Sequence, residues 1–283
     1  MAMNYDHLMS LAVEGVRHDY SDLETILYAL GIGMGRDPLD EQELDYVLER
    51  GTLKTVPTLA TVLTRSSLLR YSGMDYAKVL HGEQRLELHR PLPPAGSLIA
   101  DSRVVAAYDK GPDKGAVVLT ETKVRSATDG EPLFTLGSTI FARGDGGFGA
   151  PSGSGPAPHR LPERQPDLVC ALETRPDQAL LYRLSGDRNP LHADPALARS
   201  VGFPAPILHG LCTYGTACRA VLQSVCGYDH GRIQSFDGRF SSPVYPGETI
   251  ATEIWVDGKT VSFRARVPAR DVTVINNGKC TLR

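Results

Sequence analysis

Apolar and polar residues alternate along much of the chain, in segments separated by short turns rich in glycine, proline and aspartate. An alternation with a period of two residues, bounded by such turns, predicts antiparallel strands. The predicted strands are residues 85–89, 98–107, 115–125 and 133–143 in the first half of the chain, and residues 232–240, 248–257, 260–267 and 271–283 in the second. Residues 1–20 show no clear pattern.

Helical signals in the first half precede these strands. Ser21 followed by Glu24 has the spacing of a capping box and predicts a short helix that Gly31 ends. Residues 40–49 are acidic and predict a helix at the surface. Residues 55–63 predict a buried helix running towards residue 69, because a proline in the first helical turn is tolerated.

The second half contains two predicted helices. Asp194 and Pro195 have the types expected at the N-cap and first position of a helix over residues 196–201. Residues 211–225 are apolar with many small side chains and predict a buried helix that ends near Gly227.

A stretch rich in glycine, proline and serine lies between the two halves. It predicts a linker at residues 147–166, with one unit at residues 1–146 and another at residues 167–283. A long loop inside a single domain is the alternative. Four weak sequence parallels, in the same order in both halves, favour a duplicated α+β unit. The paired residues are 26–30 with 180–184, 37–40 with 189–192, 80–82 with 208–210, and 91–98 with 243–250.

Composition excludes several classes of function. The chain has 283 residues, 41% hydrophobic and 22% charged, and a formal net charge of -3. Without a long basic run, nucleic acid and membrane surfaces are not the expected partners. No signal peptide, membrane-spanning run or familiar C-terminal targeting tripeptide is present, so we expect a cytoplasmic protein. Five cysteines without CxxC spacing predict free thiols and no zinc site.

Residues 181–198 are the densest stretch of groups able to move protons. Asp187 and His192 are five residues apart, which points them to different sides of a helix or a strand. Only a bend, which Gly186 and Pro190 supply, brings both to one water, with Asn189 between them. Such a pair can take a proton from that water and return one to a substrate. Alternatively, all three polar residues only form turns and line a pocket.

Three other positions have both a chemical and a purely structural interpretation. Gly210 begins the predicted helix over residues 211–225, and its free amide suits an oxyanion or is simply a helix start. We interpret His209 as a core histidine. Lys110 lies in a predicted hairpin turn, where it is solvated or faces a phosphate.

The motif Tyr-x-Leu-Ser-Gly-Asp-Arg-Asn-Pro-Leu-His-Ala-Asp-Pro that begins at Tyr182 resembles that of the hydratase 2 family, the MaoC-like (R)-specific enoyl-CoA hydratases. The resemblance continues through Gly-Phe-Pro-x-Pro-Ile-Leu-His-Gly-Leu-Cys-Thr-Tyr-Gly and Arg-Phe-Ser-Ser-Pro-Val-Tyr-Pro-Gly247. It also includes Leu80-His-Gly-Glu-Gln and Asp109-Lys-Gly in the first half, and so covers nearly the whole chain.

The resemblance implies a double hotdog fold, each half an antiparallel sheet wrapped around a long helix. It implies conversion of a trans-2-enoyl-CoA to a (3R)-3-hydroxyacyl-CoA without metal or redox cofactor. We also expect a homodimer. The family's acid–base pair corresponds to Asp187 and His192, its supporting asparagine to Asn189 and its carbonyl-binding amide to Gly210. Family positions that contact substrate correspond to His81, Gly82, Lys110 and Phe240. The first half lacks the acid–base motif and is expected to hold the acyl chain.

Two other classes of function stay open at this point. Hotdog folds also serve dehydratases acting on acyl-carrier protein and acyl-CoA thioesterases, so the fold alone does not choose among them. A non-catalytic acyl-CoA binder is the third class, and the intact set of Asp187, Asn189 and His192 argues against it.

Overall fold

The computed structural model describes residues 3–64 and 66–283. Ten antiparallel strands form a single sheet. The strands are β1 (Ala12–Tyr20), β2 (Val79–Leu88), β3 (Gly96–Asp109), β4 (Ala116–Ser126), β5 (Pro132–Ala142), β6 (Leu168–Glu173), β7 (Ile233–Phe240), β8 (Thr249–Asp257), β9 (Thr260–Val267) and β10 (Val272–Leu282). All eight strands predicted from the alternating pattern are present.

The order of strands across the sheet is β1-β3-β4-β5-β2-β7-β10-β9-β8-β6. Read outward from the centre, each half follows the same sequence of strands, so β1 to β5 correspond to β6 to β10. Strands β2 and β7 pair antiparallel from Glu83 opposite Arg239 to Glu87 opposite Ser235, and this pairing joins the halves. The topology confirms the predicted duplicated α+β unit and the double hotdog fold.

Seven α-helices accompany the sheet within the described residues: α1 (Tyr5–Met9), α2 (Asp22–Gly31), α3 (Glu41–Leu44), α4 (Ala60–Leu63), α5 (Gln178–Tyr182), α6 (Pro195–Ser200) and α7 (Gly210–Val221). Short 3-10 turns lie at Pro57–Leu59, Leu68–Tyr71, Tyr76–Lys78, Arg183–Ser185, Pro190–His192, His230–Arg232 and Pro268–Arg270, and a π-turn at Leu222–Cys226 extends α7. No described helix combines the length and the apolar composition needed to cross a bilayer.

The central helix of the second half is α7. Ten of its twelve residues are buried, as expected of a helix surrounded by a core. Its Tyr214 ring meets the ring of Phe236 edge-on, with centroids 5.1 Å apart, and Phe236 stacks on Phe263 at 4.5 Å. The inner faces of β7 and β9 therefore pack towards α7 through these rings.

The first half departs from the expected long central helix. A 3-10 turn at Pro57–Leu59 continues into α4, which ends at Leu63 because Thr64 adopts an extended conformation. The predicted helix towards residue 69 is therefore wrong beyond Leu63, although Arg65 lies outside the described residues. The surface helix predicted over residues 40–49 is likewise only four residues long, at α3.

Two predicted caps are confirmed. The Ser21 capping box begins α2, with the Glu24 carboxylate accepting from the Ser21 main-chain N–H at 2.9 Å. Asp194 begins α6 by accepting from the N–H of Ala196 at 2.8 Å.

One of the four sequence parallels between the halves is wrong. Residues 80–82 lie in β2, whereas Leu208 and His209 lead into α7, so the two Leu-His-Gly triplets are not equivalent.

The segment between β5 and β6 contains neither a helix nor a strand, apart from one bridge between Ser152 and Asp109. The His159 ring hydrogen-bonds the Ser262 hydroxyl at 2.8 Å, and the Asn277 side chain donates to the His159 carbonyl at 2.7 Å. Ser262 alternates with the inward-facing Phe263, so this segment crosses the face of the sheet opposite the core.

Candidate active site

The bend predicted in residues 181–198 is present between α5 and α6. A 3-10 turn at Arg183–Ser185 ends at Gly186, whose φ of +124° is a conformation that glycine adopts without strain. The chain then passes Asp187 and enters a second 3-10 turn at Pro190–His192. The segment turns twice within ten residues, which brings Asp187 and His192 to one side.

Two nested turns hold the polar residues of this bend. The Asp187 carboxylate accepts from the Asn189 main-chain N–H at 3.0 Å, and the Asn189 side-chain oxygen accepts from the Leu191 N–H at 3.0 Å. Asp187 and Asn189 are exposed. One Asp187 carboxylate oxygen and the Asn189 amide NH2 therefore keep hydrogen-bonding capacity for a bound molecule.

His192 is the buried member of the set, with 8% of its surface exposed. Its Nδ1 lies 2.8 Å from the Ile207 carbonyl oxygen. A carbonyl only accepts, so Nδ1 carries the proton and a neutral ring presents the lone pair of Nε2. Burial lowers the pKa of His192, against the raising effects of the Ile207 hydrogen bond and the Asp187 charge. His192 is thus built to be an unprotonated base at neutral pH.

Gly210 is the first residue of α7, and no side chain caps that end of the helix. The first amides of a helix have no carbonyl one turn behind them, and the helix dipole favours negative charge there. A Cβ atom at Gly210 would lie 3.3 Å from the Phe240 ring. The glycine therefore leaves room for a ligand carbonyl to approach its amide beside Phe240.

Two of the four expected substrate-contact positions, His81 and Phe240, lie against each other, and Phe240 lies beside Gly210. The His81 and Phe240 rings have centroids 5.0 Å apart, and His81 hydrogen-bonds the Glu83 carbonyl at 3.1 Å. Burial lowers the pKa of His81 to about 4. His81 is therefore a neutral, half-buried ring that lines the same region as Phe240.

The other two expected positions border a cleft on the outer face of the sheet. A Cβ atom at Gly82 would lie 2.3 Å from the Phe141 ring, so only glycine lets that ring lie against β2. Phe141 and Lys110 line a cleft of about 600 Å³, together with three further cations and one acid: Lys114, Arg143, Arg239 and Glu83. The cleft is positively charged overall.

The sequence did not reveal that His209 belongs to the site. It is buried as expected, but its ring stacks on that of His192 with centroids 3.7 Å apart. Its Nε2 lies 3.0 Å from the main-chain oxygen of Asp187. The sequence signal was its position directly before Gly210, which did not indicate contact with the distant residues 187 and 192.

Asp187, His192 and His209 are also the residues that could approach a cation. One ligand atom from each lies within 4.8 Å of the other two. The two imidazole rings are nearly parallel, at 25°, so their in-plane lone pairs do not converge as zinc ligands do. The arrangement suits proton transfer through a shared water better than metal coordination.

Comparison with known proteins identifies the family. A model of the MaoC like domain matches residues 158–278, and a model of the MFE-2 hydratase 2 N-terminal domain matches residues 18–144. Enoyl-CoA hydratase ChsH3 of Mycobacterium tuberculosis is 41% identical over 98% of both chains. The chain belongs to the MaoC-like hydratase 2 family.

Further relatives of this MaoC-like protein differ in the names of their reactions. The peroxisomal enoyl-CoA hydratase 2 of Arabidopsis thaliana is 41% identical, over 96% of this chain and 93% of the relative. The 3-hydroxyacyl-thioester dehydratase Y of Mycobacterium tuberculosis is 40% identical, over 91% and 90%. Relatives at nearly equal identity to this chain are therefore named as a hydratase and as a dehydratase.

A solved structure agrees with the fold of this MaoC-like protein. The MaoC-like dehydratase of Phytophthora capsici superimposes with a TM-score of 0.86 and 34% identity, over 99% of this chain and 98% of the other. The superposition extends over both halves, so the short central helix of the first half lies inside a fold shared along the whole chain.

Proposed function

We propose that this MaoC-like protein catalyses the reversible (R)-specific hydration of a trans-2-enoyl-CoA to a (3R)-3-hydroxyacyl-CoA. The observation that supports it most directly is the approach of the Asp187 carboxylate to the His192 imidazole, within 4.8 Å. A water with two hydrogen bonds of about 2.8 Å spans up to about 5.6 Å. One water therefore fits between the acid and the base.

In this mechanism the thioester carbonyl accepts a hydrogen bond from the Gly210 amide, which stabilises the enolate-like charge that develops on its oxygen. Polarisation of the carbonyl makes C3 electrophilic. The water oxygen bonds to C3 while its proton passes to Nε2 of His192, the unprotonated nitrogen. The acid–base pair returns one proton to C2 on the same face, so the proton count balances. Asn189 orients the water or the thioester with its free NH2.

The remaining substrate-contact positions suggest how the two ends of the substrate lie. His81 and Phe240 form an aromatic wall beside Gly210, suited to the thioester and the first acyl carbons. Lys110 and the cations around it suit the phosphates of CoA. The acyl chain would extend towards the first half, where α4 ends at Leu63 and takes less space than α7. The enzyme is a hydro-lyase, which we propose acts as a homodimer.

A 3-hydroxyacyl-thioester dehydratase that acts on acyl-carrier protein is the second candidate, because one relative is named as a 3-hydroxyacyl-thioester dehydratase. Thioester hydrolysis is the third. Incubation with crotonyl-CoA distinguishes them. Hydration removes the enoyl absorbance without releasing free thiol, and chiral analysis yields the (3R) product. Thiol release, a (3S) product, or activity only with acyl-carrier thioesters would refute the proposal.

Substitution of Asp187 tests the mechanism. Asp187→Asn keeps the turn-forming oxygen but removes the charge, and we expect turnover to fall about a hundredfold to ten-thousandfold. Asp194→Asn is the matched control, because asparagine also caps helices and the described hydrogen bonds of the Asp194 side chain are those of the α6 cap. Near-normal hydration by Asp187→Asn would refute the assignment.

A further inference from the structure

The buried histidine that precedes Gly210 makes contacts that a simple core residue does not need. His209 is 1% exposed, and its ring stacks on His192 at 3.7 Å and lies 5.0 Å from the ring of Tyr182. Its carbonyl accepts from the N–H groups of Cys212 and Thr213 at 3.0 and 3.1 Å, which forms the first turn of α7. One residue therefore contacts the base and also shapes the helix end that offers the oxyanion amide.

The tautomer of His209 follows from its hydrogen bond. Nε2 lies 3.0 Å from the Asp187 carbonyl oxygen, which only accepts, so Nε2 carries the proton. Nδ1 is buried without a hydrogen-bond partner among the described residues. His209 is thus an Nε2–H imidazole, whereas His192 is an Nδ1–H imidazole, and the stacked pair has opposite tautomers.

His209 also stays neutral in the pH range in which His192 acts as the base. The groups facing it are Asp187, His192, Arg183 and the Tyr182 ring. Burial, followed by the proximity of the His192 ring, lowers the pKa of His209 to about 4. A positive charge on His209 would repel a proton arriving at His192, and burial prevents that charge near neutral pH.

We propose that His209 is a positioning residue for the hydration reaction, holding the Asp187 main chain and the His192 ring where both reach the same water. This inference rests on the proposed hydratase function. His209 donates to the backbone of the acid and covers one face of the base, so it couples the two groups directly. A misplacement of about 1 Å at a catalytic group can cost about a hundredfold in rate.

Two substitutions separate the two contacts. His209→Phe keeps an aromatic ring against His192 but removes the donor to Asp187. His209→Gln keeps a donor near the position of Nε2 but removes the aromatic stack. His230→Gln is the matched control, because His230 also bonds a main-chain carbonyl, that of Thr55 at 2.8 Å, away from the site.

We expect kcat of His209→Phe with crotonyl-CoA to fall roughly 10- to 100-fold, with KM changed less than about threefold. His209→Gln should recover part of that loss, and His230→Gln should retain the parent kcat. Unchanged kcat in His209→Phe, or equal losses in all three variants, would overturn the proposal while leaving the hydratase function intact. Absence of hydration by the unsubstituted enzyme would instead refute the proposed function.

Nitrogen-15 NMR of the imidazoles in the unsubstituted enzyme gives a readout that does not depend on the variants folding. We expect His209 to be the Nε2–H tautomer and to remain neutral at pH 6, with His192 as the Nδ1–H tautomer. An Nδ1–H tautomer would overturn the proposal, because Nε2 would then have no proton to donate to the Asp187 carbonyl. A protonated His209 at that pH would also overturn it, because its positive charge would then face the base.

Discussion

A buried ion pair that attaches the α3 segment to α7 allows a quantitative prediction. Glu43 accepts from Arg219 Nε at 2.7 Å and from the Gly35 N–H at 2.9 Å, and its distance to Arg219 Nη2 is 2.5 Å. The two side chains are only 3% and 9% exposed. Glu43→Gln keeps the shape and leaves the Arg219 charge buried without a counter-charge. Removal of one partner of a buried pair costs about 3–5 kcal/mol.

This loss of free energy converts into a change in melting temperature. An unfolding entropy of about 2.1 cal/mol/K per residue gives about 0.6 kcal/mol/K for 283 residues. Glu43→Gln should therefore lower Tm by about 5–8 °C, measured by thermal unfolding followed by circular dichroism, and should lower the midpoint of urea unfolding.

Two further variants test the reasoning. Asp45→Asn removes the partner of Lys54 at 3.0 Å, in a pair whose side chains are about one-third exposed, so the loss should stay below about 1 kcal/mol. The double variant Glu43→Leu with Arg219→Met should be more stable than Glu43→Gln, because it leaves no buried charge. A decrease in Tm of less than 2 °C in Glu43→Gln would refute the argument.

Two predictions concern the site. Burial holds the pKa of His192 below 6.5, and its neutral form is the base, so the midpoint of the acidic fall in kcat/KM for crotonyl-CoA should lie below pH 6.5. An acidic midpoint above pH 6.5 would contradict this assignment. Lys110→Ala should raise KM for the CoA substrate roughly two- to fivefold with little change in kcat, and the effect should shrink at high ionic strength. Lys123→Ala is the control, because its exposed side chain pairs with Glu121 away from the cleft. Equal KM changes in both variants would argue against a CoA contact at Lys110.

The strands that the sequence did not predict are the two edges of the sheet. In β1 the register shifts between Val13 and Val16, around Gly15 with its φ of +68°, so no regular alternation marks the strand. In β6 the side chains of Leu168 and Val169 are exposed. Alternation of apolar and polar residues predicts strands that bury one face, and the two edge strands bury few of their side chains.

The site was predictable to the extent that its residues are close in sequence. Asp187, Asn189 and His192 lie in one motif, and Gly210 precedes a recognisable helix. The carbonyl of Ile207, which fixes the tautomer of His192, and the stacking of His209 depend on how α7 approaches the bend. The end of α4 at Leu63 did have a sequence signal, because the apolar residues give way there to the polar run Thr-Arg-Ser-Ser at residues 64–67, and the backbone becomes extended at Thr64.

The pairing of β2 with β7 has a consequence for the origin of the chain. These two strands are equivalent members of the repeat and meet antiparallel, as they would at the two-fold axis of a symmetric pair of five-stranded subunits. In such a pair every substitution occurs twice, so both active centres change together. Fusion into one polypeptide removes that constraint. The two copies in a fused chain can therefore differ, and here the proposed acid–base pair lies in the second half while the first half has the shorter central helix.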